Sequence, residues 1–125
     1  MELKTLEELE DQLRRGAIRP IYLVLGPETF LNRQAIAAIQ EKALSSDALT
    51  FNYTELSAQS ASASEILEAA NTFPLLSPRR LVIVTEIESL EAREQEQLLK
   101  YLDRPAEKTV LVLVAGELER RSAFY

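Results

Sequence analysis

Pro20-Ile21-Tyr22-Leu23-Val24-Leu25-Gly26-Pro27-Glu28-Thr29-Phe30-Leu31-Asn32-Arg33 is the stretch whose reading decides the fold. Ile21 to Leu25 is an unbroken apolar run between Pro20 and Gly26, which predicts a short strand buried on both faces. Beyond the Gly-Pro turn, apolar residues recur at helical spacing (Phe30, Ile36, Ile39, Ala43), with Glu28, Gln40 and Glu41 left for the wet side. A helix is therefore predicted over roughly Thr29 to Leu44. A strand turning through glycine into a helix is where a nucleotide-binding α/β domain carries its phosphate loop. A working loop reads G-x-x-x-x-G-K-[ST]: amides cradle phosphates, the Lys pairs with them and the hydroxyl holds magnesium. Gly26 takes the first glycine, but Leu31, Asn32 and Arg33 stand where Gly, Lys and Ser/Thr belong. The frame is kept and the phosphate chemistry is lost. Arg33 is a poor substitute cation, since a helical surface arginine is usually solvated or paired.

Working outward toward the N-terminus, Thr5 with Glu8 forms a capping box for a helix with Leu6, Leu9 and Leu13 on one side, stopped near Gly16. Toward the C-terminus, Thr50 to Leu56 alternates, with Phe51 and Tyr53 on one face and Asn52 and Thr54 on the other. That pattern fits an outer strand. Ser57 to Ser64 is a polar connection, and Ser62-Ala63-Ser64-Glu65 is a second capping box opening a helix that runs through Asn71. Leu81 to Val84 and Val110 to Val114 are further buried strands. Between them, Glu91 to Leu102 is a helix with Leu98, Leu99 and Leu102 facing inward, closed by Pro105. Strands alternating with helices imply a mostly parallel sheet covered by helices on both faces. Glu119 to Tyr125 reads as a helix interrupted mid-stride, as in a piece of a longer polypeptide.

The third strand ends Thr85-Glu86. In phosphate-loop machines the equivalent strand end supplies acidic residues that hold magnesium and polarise water. Thr85 takes the metal-binding Asp position, and a lone Glu86 does not replace the missing half of the site. No catalytic residue, metal ligand or cofactor is therefore expected.

Composition narrows the classes further. The 125 residues carry a net charge of −6 and no cysteine or histidine. This excludes disulfides, thiolate metal sites and imidazole bases, and it lacks the basic footprint of a nucleic-acid binder. The N-terminus lacks an apolar leader core, and no apolar run approaches a membrane span. A cytoplasmic domain is expected.

One segment is apolar where a connection is ordinarily polar: Pro74-Leu75-Leu76-Ser77. Pro74 biases Phe73 out of the helical region and ends the preceding helix, and Pro78 stiffens the exit. Phe73, in register with Ile66 and Ala70, is assigned to the core. Leu75 and Leu76 either fold back over the core edge, as leucines usually do, or ride the turn as an exposed pair. Arg79 and Arg80 follow, either pairing with acidic residues on a partner or sitting in solvent, with at least one expected in solvent.

The chain resembles the N-terminal AAA+-like domain of the delta subunit of the bacterial DNA polymerase III clamp loader. The residues that carry the resemblance are Tyr22 to Leu31, Phe73 to Val84, Leu111 to Val114 and Ala123-Phe124, in that order and spacing. The resemblance implies a three-layer α/β/α phosphate-loop-NTPase-like lobe without a working ATP site. Its sheet order would be second, third, fourth, first strand, within a polypeptide that continues through a last strand, a lid domain and a collar domain. It favours exposure for Leu75 and Leu76, which fall where the family plugs adjacent apolar residues into a pocket of the sliding clamp (the beta subunit); Pro74, Ser77 and Arg79 lie beside them. Family members often carry an aromatic at the second place, and Leu76 departs from that. The implied role is binding and opening the clamp in DNA replication, with no ATP hydrolysis by this chain. As a family member it would belong to the DNA-directed DNA polymerase complex, a nucleotidyltransferase. Gamma/tau and delta prime subunits would be further partners, with primed DNA reached only through the whole loader. Two other classes remain: an inactive scaffold lobe of another multi-subunit ATPase, with both leucines buried, and a small phosphotransferase built on Glu28, Glu86 and Arg33.

Overall fold

A computed structural model describes residues 15, 18–25, 29–43, 52–75 and 79–115. Among the described residues four strands and three helices alternate: β1 (Ile21–Leu25), α1 (Thr29–Ala43), β2 (Tyr53–Ser57), α2 (Ala63–Ala70), β3 (Arg80–Thr85), α3 (Ala92–Asp103) and β4 (Thr109–Ala115). A 3-10 turn at Ile87–Ser89 precedes α3. The strands pair parallel in the order β1-β4-β3-β2, the expected arrangement read from its other edge.

Alternation along the two central strands divides the core. Val82 and Val84 of β3, with Leu111 and Leu113 of β4, pack with Ile66 and Ala70 of α2 and Leu98 and Tyr101 of α3. Leu81, Ile83, Val110 and Val112 face the other way, onto Ile36 and Ile39 of α1. Both faces of β3 and β4 are thus dry, which is why their sequences are continuous apolar runs. Each fully buried Leu, Ile or Val contributes roughly 1.5–3 kcal/mol.

Three sequence expectations change in detail. β2 begins at Tyr53 and ends at Ser57, and Asn52 lies before the strand, 0% exposed, instead of sharing an outer face with Thr54. Its amide is consumed by the main chain of a distant loop, which the alternation of β2 does not encode. On α3, Leu98 is buried while Leu99 and Leu102 only partly pack, and Tyr101 takes the inward place beside them. Its hydroxyl accepts from the Ala106 N–H at 3.2 Å, so the phenol is buried without an orphaned oxygen. The expected helix from Thr5 to Gly16 (Arg15 apart), Phe51, and the segment from Glu119 to Tyr125 lie outside the described residues.

Candidate functional site

The stretch from α2 to β3 is built by two well-specified helix ends. At the start, the Ser62 hydroxyl accepts from the Glu65 N–H at 3.2 Å, and the Glu65 carboxylate accepts from the Ser62 N–H at 3.4 Å. This is the capping box the sequence predicts. At the other end, the last four carbonyls of α2 need donors from outside the helix ladder. Each finds a side chain. Leu67 O accepts from Asn71 Nδ2 at 2.9 Å and Glu68 O from Thr72 Oγ1 at 2.8 Å. Ala69 O accepts from Arg80 Nε at 2.9 Å and Ala70 O from Thr109 Oγ1 at 2.7 Å. The helix stops at Ala70 with none of these carbonyls exposed to the core unpaired.

Beyond that stop the chain turns its apolar groups outward. Phe73 is 80% exposed and Leu75 is 52% exposed, and they are the exposed large hydrophobic residues among those described. The core assignment of Phe73 is therefore corrected. Its register with Ile66 and Ala70 holds only while the backbone is helical, and the helix has ended three residues earlier. Leu75 is exposed, as the resemblance favours. Pro74 between them is half-buried. Leu76, Ser77 and Pro78 lie outside the described residues.

The loop is exposed in its side chains but held in its main chain. Asn52 Nδ2 donates to Leu75 O at 2.7 Å, and Leu75 N–H donates to Asn52 Oδ1 at 2.5 Å. At the return into β3, Arg80 is 9% exposed, and it donates from Nη2 to Thr54 Oγ1 at 2.7 Å as well as from Nε to Ala69 O. Burial lowers the pKa of its guanidinium. Arg79 is half-buried. Neither arginine is fully exposed, and Arg80 is drawn into the fold because the end of α2 and the edge strand β2 present acceptors to it.

The positions read from the sequence as a degenerate phosphate loop are only partly among the described residues. Gly26 lies outside the described residues, and Leu31 and Asn32 belong to α1. Arg33 is exposed and pairs with Glu55 of β2, Nη1 to Oε1 at 3.4 Å. Glu55 Oε1 also accepts from the Tyr53 hydroxyl at 3.1 Å. Partial burial, then the neighbouring Glu55, raises the Tyr53 pKa. At the end of β3, Thr85 Oγ1 donates to Leu56 O at 3.4 Å. Glu86 is exposed, adopts a left-handed backbone (φ 59°), and accepts from Ser57 Oγ at 3.1 Å. Arg33 and Glu86 are each occupied with β2. Among the described residues no three His, Cys, Asp or Glu side chains gather as a metal site.

The family model for the DNA polymerase III delta subunit matches residues 22–124. The chain belongs to that family. The DNA polymerase III subunit delta of Bacillus subtilis (strain 168) is 27% identical over 111 residues, covering 82% of this chain and 32% of the relative. The chain thus spans about a third of that relative's length. Among solved structures, the Bacillus subtilis DNA clamp loader delta protein (YqeN) superposes with a TM-score of 0.87 at 24% identity, over 96% of this chain and 38% of that one. A DNA polymerase III gamma subunit-related protein from Thermotoga maritima gives 0.62 at 21% identity, over 90% of this chain and 39% of that one. These two likenesses concern the fold. No helix among the described residues of this delta-family chain is long and apolar enough to cross a membrane.

Proposed function

We infer that this chain is the clamp-binding, AAA+-like lobe of a cytoplasmic clamp-loader delta subunit, and that the loop from Phe73 to Leu76 plugs into an apolar pocket of the sliding clamp. The observation that carries this reading is the pairing of Phe73 and Leu75, exposed at 80% and 52%, with a main chain bonded to Asn52. Exposed apolar side chains on an anchored loop lose little conformational freedom on docking, so more of their burial energy appears as affinity. Family membership supports the same direction. Lid and collar domains, the gamma/tau and delta prime subunits and the path to primed DNA would belong to the complete loader, and clamp opening would be its work. The lobe itself would neither bind nor hydrolyse ATP, because Leu31, Asn32 and Arg33 replace the phosphate-loop residues and Thr85 replaces the metal-binding Asp.

The test is a footprint. Backbone hydrogen exchange of the chain, free and with saturating sliding clamp, should show new protection centred on residues 72–76. Protection confined to the β2 edge or to α3, or none at all, would refute the reading. Calorimetry with magnesium ATP should detect no saturable binding up to millimolar nucleotide, and Asn32→Lys alone should not create turnover. Micromolar binding by the parent, or turnover in that variant, would overturn the inactive-site part of the reading.

A further inference from the structure

We propose that Asn52 is the positioning residue of the apolar loop: it fixes the Leu75 peptide so that the side chain is presented outward, and it thereby sets affinity for the partner. The inference rests on the clamp-binding reading above and adds a residue that touches no partner. Asn52 is 0% exposed, yet it sits one residue before the edge strand β2, where a polar side chain would ordinarily reach water. Burying a carboxamide is costly unless its donor and acceptor are both used. Here both go to one residue 23 positions away: Nδ2 to Leu75 O and Oδ1 from Leu75 N–H. The side-chain amide thus acts as a short piece of neighbouring strand, and it holds the two main-chain groups that flank the Leu75 Cα. With both groups pinned, the direction of the Leu75 side chain follows from the backbone. That side chain stays half-exposed while the peptide beneath it is fastened to the fold.

A purely structural amide and a positioning amide differ in what their loss disturbs. Asn52→Asp keeps the acceptor for Leu75 N–H but turns a second acceptor on the Leu75 carbonyl, whereas Asn52→Ala removes both bonds. In Asn52→Ala the Leu75 amide should exchange with solvent roughly tenfold faster or more, and in Asn52→Asp by less, because repulsion at the Leu75 carbonyl loosens the clasp while the acceptor for the N–H stays. The amide of Leu111, which donates to Pro20 O at 2.8 Å in the sheet, should keep its parental rate. Titrated with sliding clamp, both variants should bind about 5- to 50-fold more weakly, the range that loss of one or two such hydrogen bonds gives. Leu75→Ala is the control that separates the two ideas, because it deletes the contact and leaves the peptide bonds in place. It should lose clamp affinity with its residue-75 amide still protected. Equal acceleration at Leu111 in both Asn52 variants would make Asn52 a general core residue and overturn the proposal. So would a fast Leu75 amide with undiminished clamp binding, which leaves the clamp-binding reading standing. A parent chain that does not bind the clamp, or a Leu75→Ala variant that binds as the parent does, overturns the clamp-binding reading and this inference with it.

Discussion

Arg80 and Tyr101 show how single polar side chains are made to serve a dry interior. Arg80 bridges the end of α2 and the edge strand through Ala69 O and Thr54 Oγ1, so its charge enters the fold only with acceptors waiting. Tyr101 is buried with its hydroxyl on the Ala106 N–H, and burial raises its pKa above the ordinary 10.0. A raised folded-state pKa means the native protein holds the phenolic proton more tightly than the unfolded chain does. That stabilisation is complete below about pH 10 and is lost as pH rises through the folded value. Tyr53, also raised, adds to the loss in the same window. Thermal melts between pH 8 and 11.5 should therefore fall at the alkaline end, and Tyr101→Phe should fall less steeply although it starts lower. An identical alkaline slope in that variant would contradict the assignment. At this scale the sequence was only half legible. The prolines around Leu75 announced its break from the helix, but Arg80 looked like surface because its acceptors come from segments 11 and 26 residues away.

α2 illustrates the same division for a whole element. Its start is local: Ser62 and Glu65 are three residues apart, and the capping box read from sequence is present. Ser62→Ala should cost ~1 kcal/mol, lowering Tm by about 3–5 °C for a domain of this size. A shift under one degree would show that the box contributes nothing. The end of α2 is only partly local. Asn71 and Thr72 close two carbonyls from the next turn, but Arg80 and Thr109 close the others from β3 and β4. Periodicity alone kept Phe73 in the helical register, and it failed because side-chain donors from β3 and β4 take the last carbonyls where the helix stops at Ala70. The exposure of Phe73 follows from that stop.

For the molecule as a whole, the buried runs of β1, β3 and β4 and the weaker alternation of β2 were enough to predict a parallel sheet, while its order needed the topology that the resemblance implies as well as an edge place for β2. The clasp between Asn52 and Leu75 was invisible, because nothing in either segment names the other. The sheet brings the start of β2 beside the loop that enters β3, and Leu75 is then held on a fixed base. The central claim is that those residues act on a partner and not on the fold. Clamp affinity and melting temperature of Leu75→Ala/Leu76→Ala, measured beside the parent, test it most directly. Truncating both side chains should remove about 2–4 kcal/mol of binding, allowing for non-additivity, which is roughly 30- to 700-fold in Kd. The melting temperature should stay within a few degrees of the parent, as expected of side chains that serve a partner and not the core. A double variant that melts far lower, or one that is stable and binds the clamp at full strength, would contradict the account.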